Sequence, residues 1–194
     1  MSRIRVISGS AKGRRLRLVP GGGTRPIGDR VKEALFNILG PTVKGTAWLD
    51  LFAGTGSVGI EALSRGASRV VFLDNDRQAV LTIEQNLKIT GLGEGASVIR
   101  ADSLQLLAAP SGREAFDFVF VAPPQYHEQW SRALHLLDAS QGWLHPDAQV
   151  IVQLDPKEYR DERFDRLALI DRRKYGSTEL LFYENEGDEG GSRN

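Results

Sequence analysis

The sequence predicts an α/β fold: a mostly parallel seven-stranded sheet covered by helices, with an antiparallel C-terminal edge hairpin and a small N-terminal β-hairpin. Three observations predict it. From residue 46 onward, short and nearly continuous apolar runs alternate with amphipathic stretches, the pattern of strands buried on both faces and joined by crossover helices. The last two apolar runs, 167–170 and 180–183, flank Lys174-Tyr175-Gly176-Ser177 and leave no room for a helix between them. The first 23 residues hold two alternating segments around the turn Gly9-Ser10-Ala11-Lys12-Gly13, as a hairpin requires.

Taken in order, residues 3–8 and 14–19 form the hairpin, with Leu16 and Leu18 on one face and Arg15 and Arg17 on the other. Pro20-Gly21-Gly22-Gly23 is a flexible joint. Asp29 then caps a helix whose apolar positions are Val31, Leu35, Ile38 and Leu39, and Gly40-Pro41 ends it. Strands are predicted over 47–52, 69–74, 96–100, 117–121 and 149–154, and helices over 57–65, 77–90, 103–107 and 130–137. This divides the chain into a basic hairpin (1–23), one α/β domain (24–186) and a frayed acidic tail (187–194).

With 194 residues, the chain has room for one domain with a substantial core. Apolar residues are 41% and charged residues 26%, which excludes a compositionally disordered chain. No run approaches the ~20 apolar residues of a membrane span. Arg3 and Arg5 are followed by no apolar signal core, so a cytoplasmic location is expected. There is no cysteine, and His127, His135 and His145 form no ligand pattern, so no metal is expected. The charge is uneven. Arg3, Arg5, Lys12, Arg14, Arg15, Arg17 and Arg25 stand in the first 28 residues without one acid, which leaves 18 basic against 25 acidic side chains in the rest. A basic arm on an acidic body suits a phosphate-rich partner, although a solvated hairpin has the same composition.

Chemistry concentrates in Asp50-Leu51-Phe52-Ala53-Gly54-Thr55-Gly56-Ser57-Val58-Gly59, a strand, a glycine turn and a helix start. Gly54, Gly56 and Gly59 satisfy the GxGxxG pattern of dinucleotide folds, and Asp74 stands 20 residues after Gly54. Asp50 argues against a dinucleotide, because a carboxylate there would repel a pyrophosphate. It complements the ammonium group of S-adenosylmethionine, which carries no phosphate. Asp74 can take both ribose hydroxyls, and Asp102-Ser103 can accept from the adenine amine. Three acids at the C-terminal ends of successive strands mark the crevice where open α/β sheets bind ligands, although Asp102 alone could equally be a helix cap, as Asp76 is expected to be. Farther along, Ala122-Pro123-Pro124-Gln125-Tyr126 follows an apolar strand. Its prolines leave the carbonyls of Ala122 and Pro123 as acceptors, and Tyr126 can stack on a flipped base.

Together with Arg25-Pro26, the run Asp29-Arg30-Val31-Lys32-Glu33-Ala34-Leu35-Phe36-Asn37, Asp74-Asn75-Asp76 and Lys174-Tyr175-Gly176-Ser177-Thr178, these residues resemble the bacterial small-subunit rRNA guanine-N2 methyltransferases, the RsmD family. The resemblance runs from Arg3 to about Tyr183. It implies a class I methyltransferase (Rossmann-like) fold, S-adenosylmethionine as cofactor, and methylation of a guanine exocyclic amine in 16S rRNA or in a small-subunit assembly intermediate, by a monomer. Carried over, Asp50, Gly54 and Gly56 would face the methionine end, Asp74 the ribose and Asp102 the adenine, with Phe52, Asn75 and Ser103 also binding the cofactor. Ala122, Pro123, Pro124 and Tyr126 would form the catalytic loop. Arg3, Arg5, Lys12, Arg14, Arg15, Arg17, Arg25 and Arg30 would contact RNA. The chain departs from the family pattern at Ile27, where the family usually has Thr, and at Ala122-Pro123-Pro124-Gln125-Tyr126, where it usually has Asp or Asn, two prolines and then an aromatic. Two further readings stay open: a non-catalytic RNA-binding module that keeps this fold, or a methyltransferase acting on another base.

Overall fold

The computed structural model describes residues 4–21, 26–109, 115–125, 127–140 and 142–187. Arg3, Arg25, Tyr126 and nearly all of the acidic tail lie outside them. Strands β1 (Ile4–Arg5) and β2 (Arg15–Leu16) form the small antiparallel ladder. They are followed by α1 (Asp29–Leu39), a 3-10 turn (Gly40–Val43), β3 (Ala47–Leu51), α2 (Ser57–Ser64), β4 (Arg69–Asp74), α3 (Arg77–Thr90) and β5 (Ala96–Arg100). Then come α4 (Ser103–Ala108), β6 (Phe116–Val121), α5 (Gln129–Ala139), β7 (Leu144–Leu154), β8 (Leu167–Tyr175) and β9 (Thr178–Asn185).

The seven-stranded sheet has the order β5-β4-β3-β6-β7-β9-β8. Its first five strands are mutually parallel and β9 returns antiparallel between β7 and the edge strand β8. One face buries Phe36 and Leu39 of α1, Val58 and Ile60 of α2 and Ile83 of α3 with Trp48, Phe72, Phe118 and Phe120 of the sheet. The other buries Leu107 of α4 and Trp130, Leu134 and Leu137 of α5 with Leu49, Val119, Val121 and Val150. No helix among the described residues is long and apolar enough to cross a membrane.

Several local expectations are corrected. The N-terminal ladder stops at Leu16, and Leu18, expected on the same face, is 42% exposed. The reason lies in Asn86 of α3, whose Oδ1 accepts from the Arg17 amide at 2.7 Å and whose Nδ2 donates to the Arg17 carbonyl at 3.1 Å. That pairing binds the Arg17 backbone to α3. Gly28, not Asp29, occupies the cap position of α1. Asp29 begins the first turn, and its carboxylate meets the Arg5 guanidinium at 3.4 Å. On the same helix Ile38 is 42% exposed while Lys32 is fully buried, so the inward face runs through Lys32, Leu35, Phe36 and Leu39. The fifth sheet strand begins at Leu144, five residues before the predicted start at 149, through a register shift opposite Phe116–Phe118 and a positive φ of 61° at Asp147.

The N-terminal hairpin is also packed into the body. Ile4, Val6, Ala11 and Leu16 belong to the same apolar cluster as Phe36, Trp48 and Ile60. Buried polar groups hold it there. Glu61 of α2 accepts from the amides of Ile7 at 2.8 Å and Ser8 at 3.0 Å, and Ser64 Oγ accepts from the Ala11 amide at 3.0 Å. A Cβ on Gly9 would stand 1.8 Å from the Ser64 carbonyl oxygen, so only glycine permits this approach.

Candidate active site

The sheet order changes direction at β3: β4 and β5 lie on one side, β6 and β7 on the other. The loops leaving β3 and β6 therefore diverge toward opposite faces and open a crevice at the C-terminal ends of these strands. Leu51 is followed by Phe52 with a left-handed φ of 60°, an uncommon state for a bulky residue that turns the chain sharply off the strand. Gly54 (φ 55°) and Gly56 (φ 73°) continue the turn, and the Gly56 amide closes it on the Ala53 carbonyl at 2.8 Å. A Cβ on Gly59 would meet Phe72 at 2.3 Å and Val70 at 2.7 Å, so the third glycine brings α2 close to β4.

Asp74 ends β4 and holds this loop. Its Oδ2 accepts from the Gly54 amide at 2.8 Å and its Oδ1 from the Asp76 amide at 2.9 Å. A carboxylate offers about four acceptor positions, so acceptor capacity remains on both oxygens. Asp50 is deeper, 2% exposed, with Oδ2 accepting from the Gly59 amide at 3.1 Å. Burial pushes its carboxyl up from the ordinary 3.8 to about 8; the nearby Asp74 charge adds to that rise and the Gly59 hydrogen bond opposes it. At pH 7 burial therefore holds Asp50 mainly protonated, while pairing with an ammonium group requires its anion.

The third acid stands at the C-terminal end of the neighbouring strand, but its visible task is local. Asp102 is exposed and caps α4 by accepting from the Gln105 amide at 2.9 Å, and Ser103 beside it is buried. Asp76 caps α3 in the same way, accepting from the Gln78 amide at 2.8 Å. Asn75 between Asp74 and Asp76 is exposed, and its carbonyl accepts from the Arg100 guanidinium at 3.2 Å.

On the other side of the crevice Ala122 packs half-buried against the cluster under α1–α3, Pro123 is half-buried and Pro124 and Gln125 are exposed. Of the cations in the basic arm, Arg5, Lys12, Arg14, Arg15, Arg17 and Arg30 are exposed. Arg17 also reaches Gln85 Oε1 at 3.1 Å. Among the described residues no group of three metal-ligating side chains is found.

Two side chains, Lys32 and Asn86, connect the arm to the glycine loop and the helix that follows it. Lys32 Nζ donates to the Arg5 carbonyl at 2.7 Å and to Ser57 Oγ, the first residue of α2, at 3.0 Å, and lies 3.6 Å from Glu61. Burial lowers the affinity of this amine for its proton, and Glu61 and Asp29 offset only part of that fall. Asn86, which pairs with Arg17, also donates to the Thr55 carbonyl at 2.9 Å. The signal for Lys32 was its helical spacing, three and four positions before Leu35 and Phe36.

Comparison with known proteins places this geometry in a family. The family model described as conserved hypothetical protein 95 matches residues 4–184. "Putative rRNA methyltransferase YlbH" of Bacillus subtilis is 41% identical over 185 residues, covering 95% of this chain and all of that protein. Ribosomal RNA small subunit methyltransferase D of Haemophilus influenzae is 40% identical over 78% of this chain and 79% of its own length. The solved structure "Putative methyltransferase yhhF" of Escherichia coli superposes with a TM-score of 0.82 at 30% identity, covering 96% of this chain and 99% of that one. The sheet order, the glycine loop tied to Asp74 and these matches agree, and the chain belongs to the RsmD family, with the class I methyltransferase fold.

Proposed function

We propose that this chain is an rRNA methyltransferase that moves a methyl group from S-adenosylmethionine to the exocyclic N2 amine of a guanine in small-subunit (16S) rRNA, free or in an assembly intermediate. The observation that carries the reading is Asp74: a carboxylate at the C-terminal end of β4, next to the strand where the sheet order reverses, fastened to Gly54 and still able to accept from a pair of vicinal hydroxyls. The names of the relatives support rRNA as the substrate class.

The residues present fit the cofactor. Asp74 takes the ribose hydroxyls with Asn75 beside it, Asp102 and Ser103 border the adenine, and Phe52, Gly54 and Gly56 let backbone approach the methionine end. When bound, S-adenosylmethionine supplies an electrophilic sulfonium methyl. Asp50 becomes the anion that the ammonium group needs, because a nearby cation favours its charged form.

The guanine amine is a weak nucleophile, since its lone pair is delocalised into the ring, and the protein therefore acts chiefly by positioning. The base leaves its stack and enters the loop after β6, where the carbonyls of Ala122 and Pro123 accept from the amine, Pro124 stiffens the loop and Tyr126 stacks on the ring. Arg3, Arg5, Lys12, Arg14, Arg15, Arg17, Arg25 and Arg30 contact phosphates. Unmodified 16S rRNA incubated with the protein and S-adenosylmethionine, digested and analysed by mass spectrometry, should yield N2-methylguanosine. A different methylated nucleoside would reassign the base, and binding of RNA and cofactor without any transfer would favour the non-catalytic module that the bare Ala122 methyl admits.

A further inference from the structure

We propose that Gln153 is the side chain that accepts a hydrogen bond from the target amine, in place of the acceptor that Ala122 lacks; this rests on the guanine-N2 reading above. Strands β6 and β7 run parallel in the register Val119↔Val150, Phe120↔Ile151 and Val121↔Val152. One step farther, Ala122 and Gln153 stand side by side at the crevice end of the sheet. Phe120 and Ile151 face the cluster under α1–α3, and Ala122 packs against that cluster two residues after Phe120. Gln153 is two residues after Ile151 and opposite Leu180 of β9, which belongs to the same cluster. The period-2 alternation of strands therefore puts Gln153 on the face of Ala122. Neighbouring strands lie about 4.8 Å apart, within reach of a glutamine side chain.

The second observation is energetic. Gln153 Oε1 is buried and has no hydrogen-bond partner among the described residues. A buried acceptor left without a donor costs about 1–3 kcal/mol, and such a group in a folded protein calls for an explanation. Here the explanation is a donor that arrives with the substrate. The flipped guanine brings an N2–H to a place where the Ala122 side chain is only a methyl group, and the amide oxygen of Gln153 accepts it.

The step balances without a charged base. One N2–H stays hydrogen-bonded to Gln153 while the amine lone pair forms the N–C bond, and the C–S bond breaks with its electron pair going to sulfur. The second N2 proton, which the backbone carbonyls of the loop after β6 accept as a hydrogen bond, becomes acidic once the nitrogen is alkylated and passes to water. A neutral amide takes up no proton here, so its contribution is orientation of the lone pair, expressed in kcat.

The experiment compares wild type, Gln153→Met, and Gln153→Met combined with Ala122→Asn. The readouts are N2-methylguanosine formation on 16S rRNA, calorimetric affinity for S-adenosylmethionine, and Tm. The expected result for Gln153→Met is a kcat lower by about tenfold, the worth of one hydrogen bond, with unchanged cofactor affinity and a higher Tm, because the unpaired buried oxygen is gone. Adding Ala122→Asn should recover most of the lost kcat by supplying an acceptor from the neighbouring strand. If wild type makes N2-methylguanosine while Gln153→Met keeps its kcat, or loses kcat and Tm together, the inference on Gln153 falls and the function stands. If wild type makes none, the functional reading falls and this inference with it.

Discussion

At the scale of single residues, Asp50 carries the most information because its chemistry depends on what occupies the crevice. Its folded-state pKa, raised to about 8 from an ordinary 3.8 by burial, makes the folded protein hold a proton that the unfolded chain releases. Stability from this group is therefore fully present below pH 3.8 and lost as pH rises toward 8. Asp50→Asn keeps an oxygen for the Gly59 amide and removes the titration. Urea unfolding should show wild type losing stability relative to this variant by up to ~1.4 kcal/mol per pH unit across that window. Parallel pH dependences would remove the buried-acid assignment. Cofactor affinity should move the other way, strengthening in wild type from pH 6 to 8 as ionisation becomes easier, and the Asp50→Asn variant should lack that rise, which isothermal titration calorimetry can follow.

Among the elements, the N-terminal arm and α2 act as one unit. Glu61 receives two arm amides, the Arg65 guanidinium at 2.8 Å and the charge of Lys32, and the side chains of Glu61 and Lys32 are both fully buried. Removing one partner of a buried ion pair leaves the other uncompensated and typically costs ~3–5 kcal/mol. Lys32→Ala should therefore destabilise the fold by about 3 kcal/mol, while Lys32→Met with Glu61→Gln should cost less than the sum of the two single changes, as a double-mutant cycle in urea would register. In Glu61→Ala the amides of Ile7 and Ser8 should exchange with solvent faster than the remaining ladder amides of the sheet. Unaltered exchange there would mean that packing of Ile4, Val6 and Leu16 alone retains the arm.

Across the whole molecule, the arm presents its cations from a clamped platform, not from a free hairpin. Arg5 is engaged by Asp29 and Arg17 by Gln85, while Arg14 and Arg15, at the start of β2, are exposed. If they neutralise rRNA phosphates, Arg14→Gln and Arg15→Gln should each lower the slope of log affinity against log salt by roughly one unit. Filter binding to 16S rRNA across a salt series measures this directly. A slope unchanged by the double substitution would leave the arm a structural cover for α2.

What the sequence determined by itself follows from periodicity and turn chemistry, both local. The elements Arg69–Asp74, Arg77–Thr90 and Ala96–Arg100 have the predicted bounds, and Gly54, Gly56, Gly59 and Asp74 stand where a strand, a tight turn and a helix start require them. The tertiary structure alone decided the rest. Lys32 reads as a surface cation until Glu61 and Ser57, 29 and 25 residues away in sequence, close over it. Leu18 reads as a ladder residue until Asn86 takes the hydrogen bonds of its neighbour Arg17. The protonation of Asp50 depends on how much water the packed loop above it excludes, and the place of Gln153 beside Ala122 depends on the register of two strands. Burial and register are sums over contacts distant in the chain, and no window of sequence contains them.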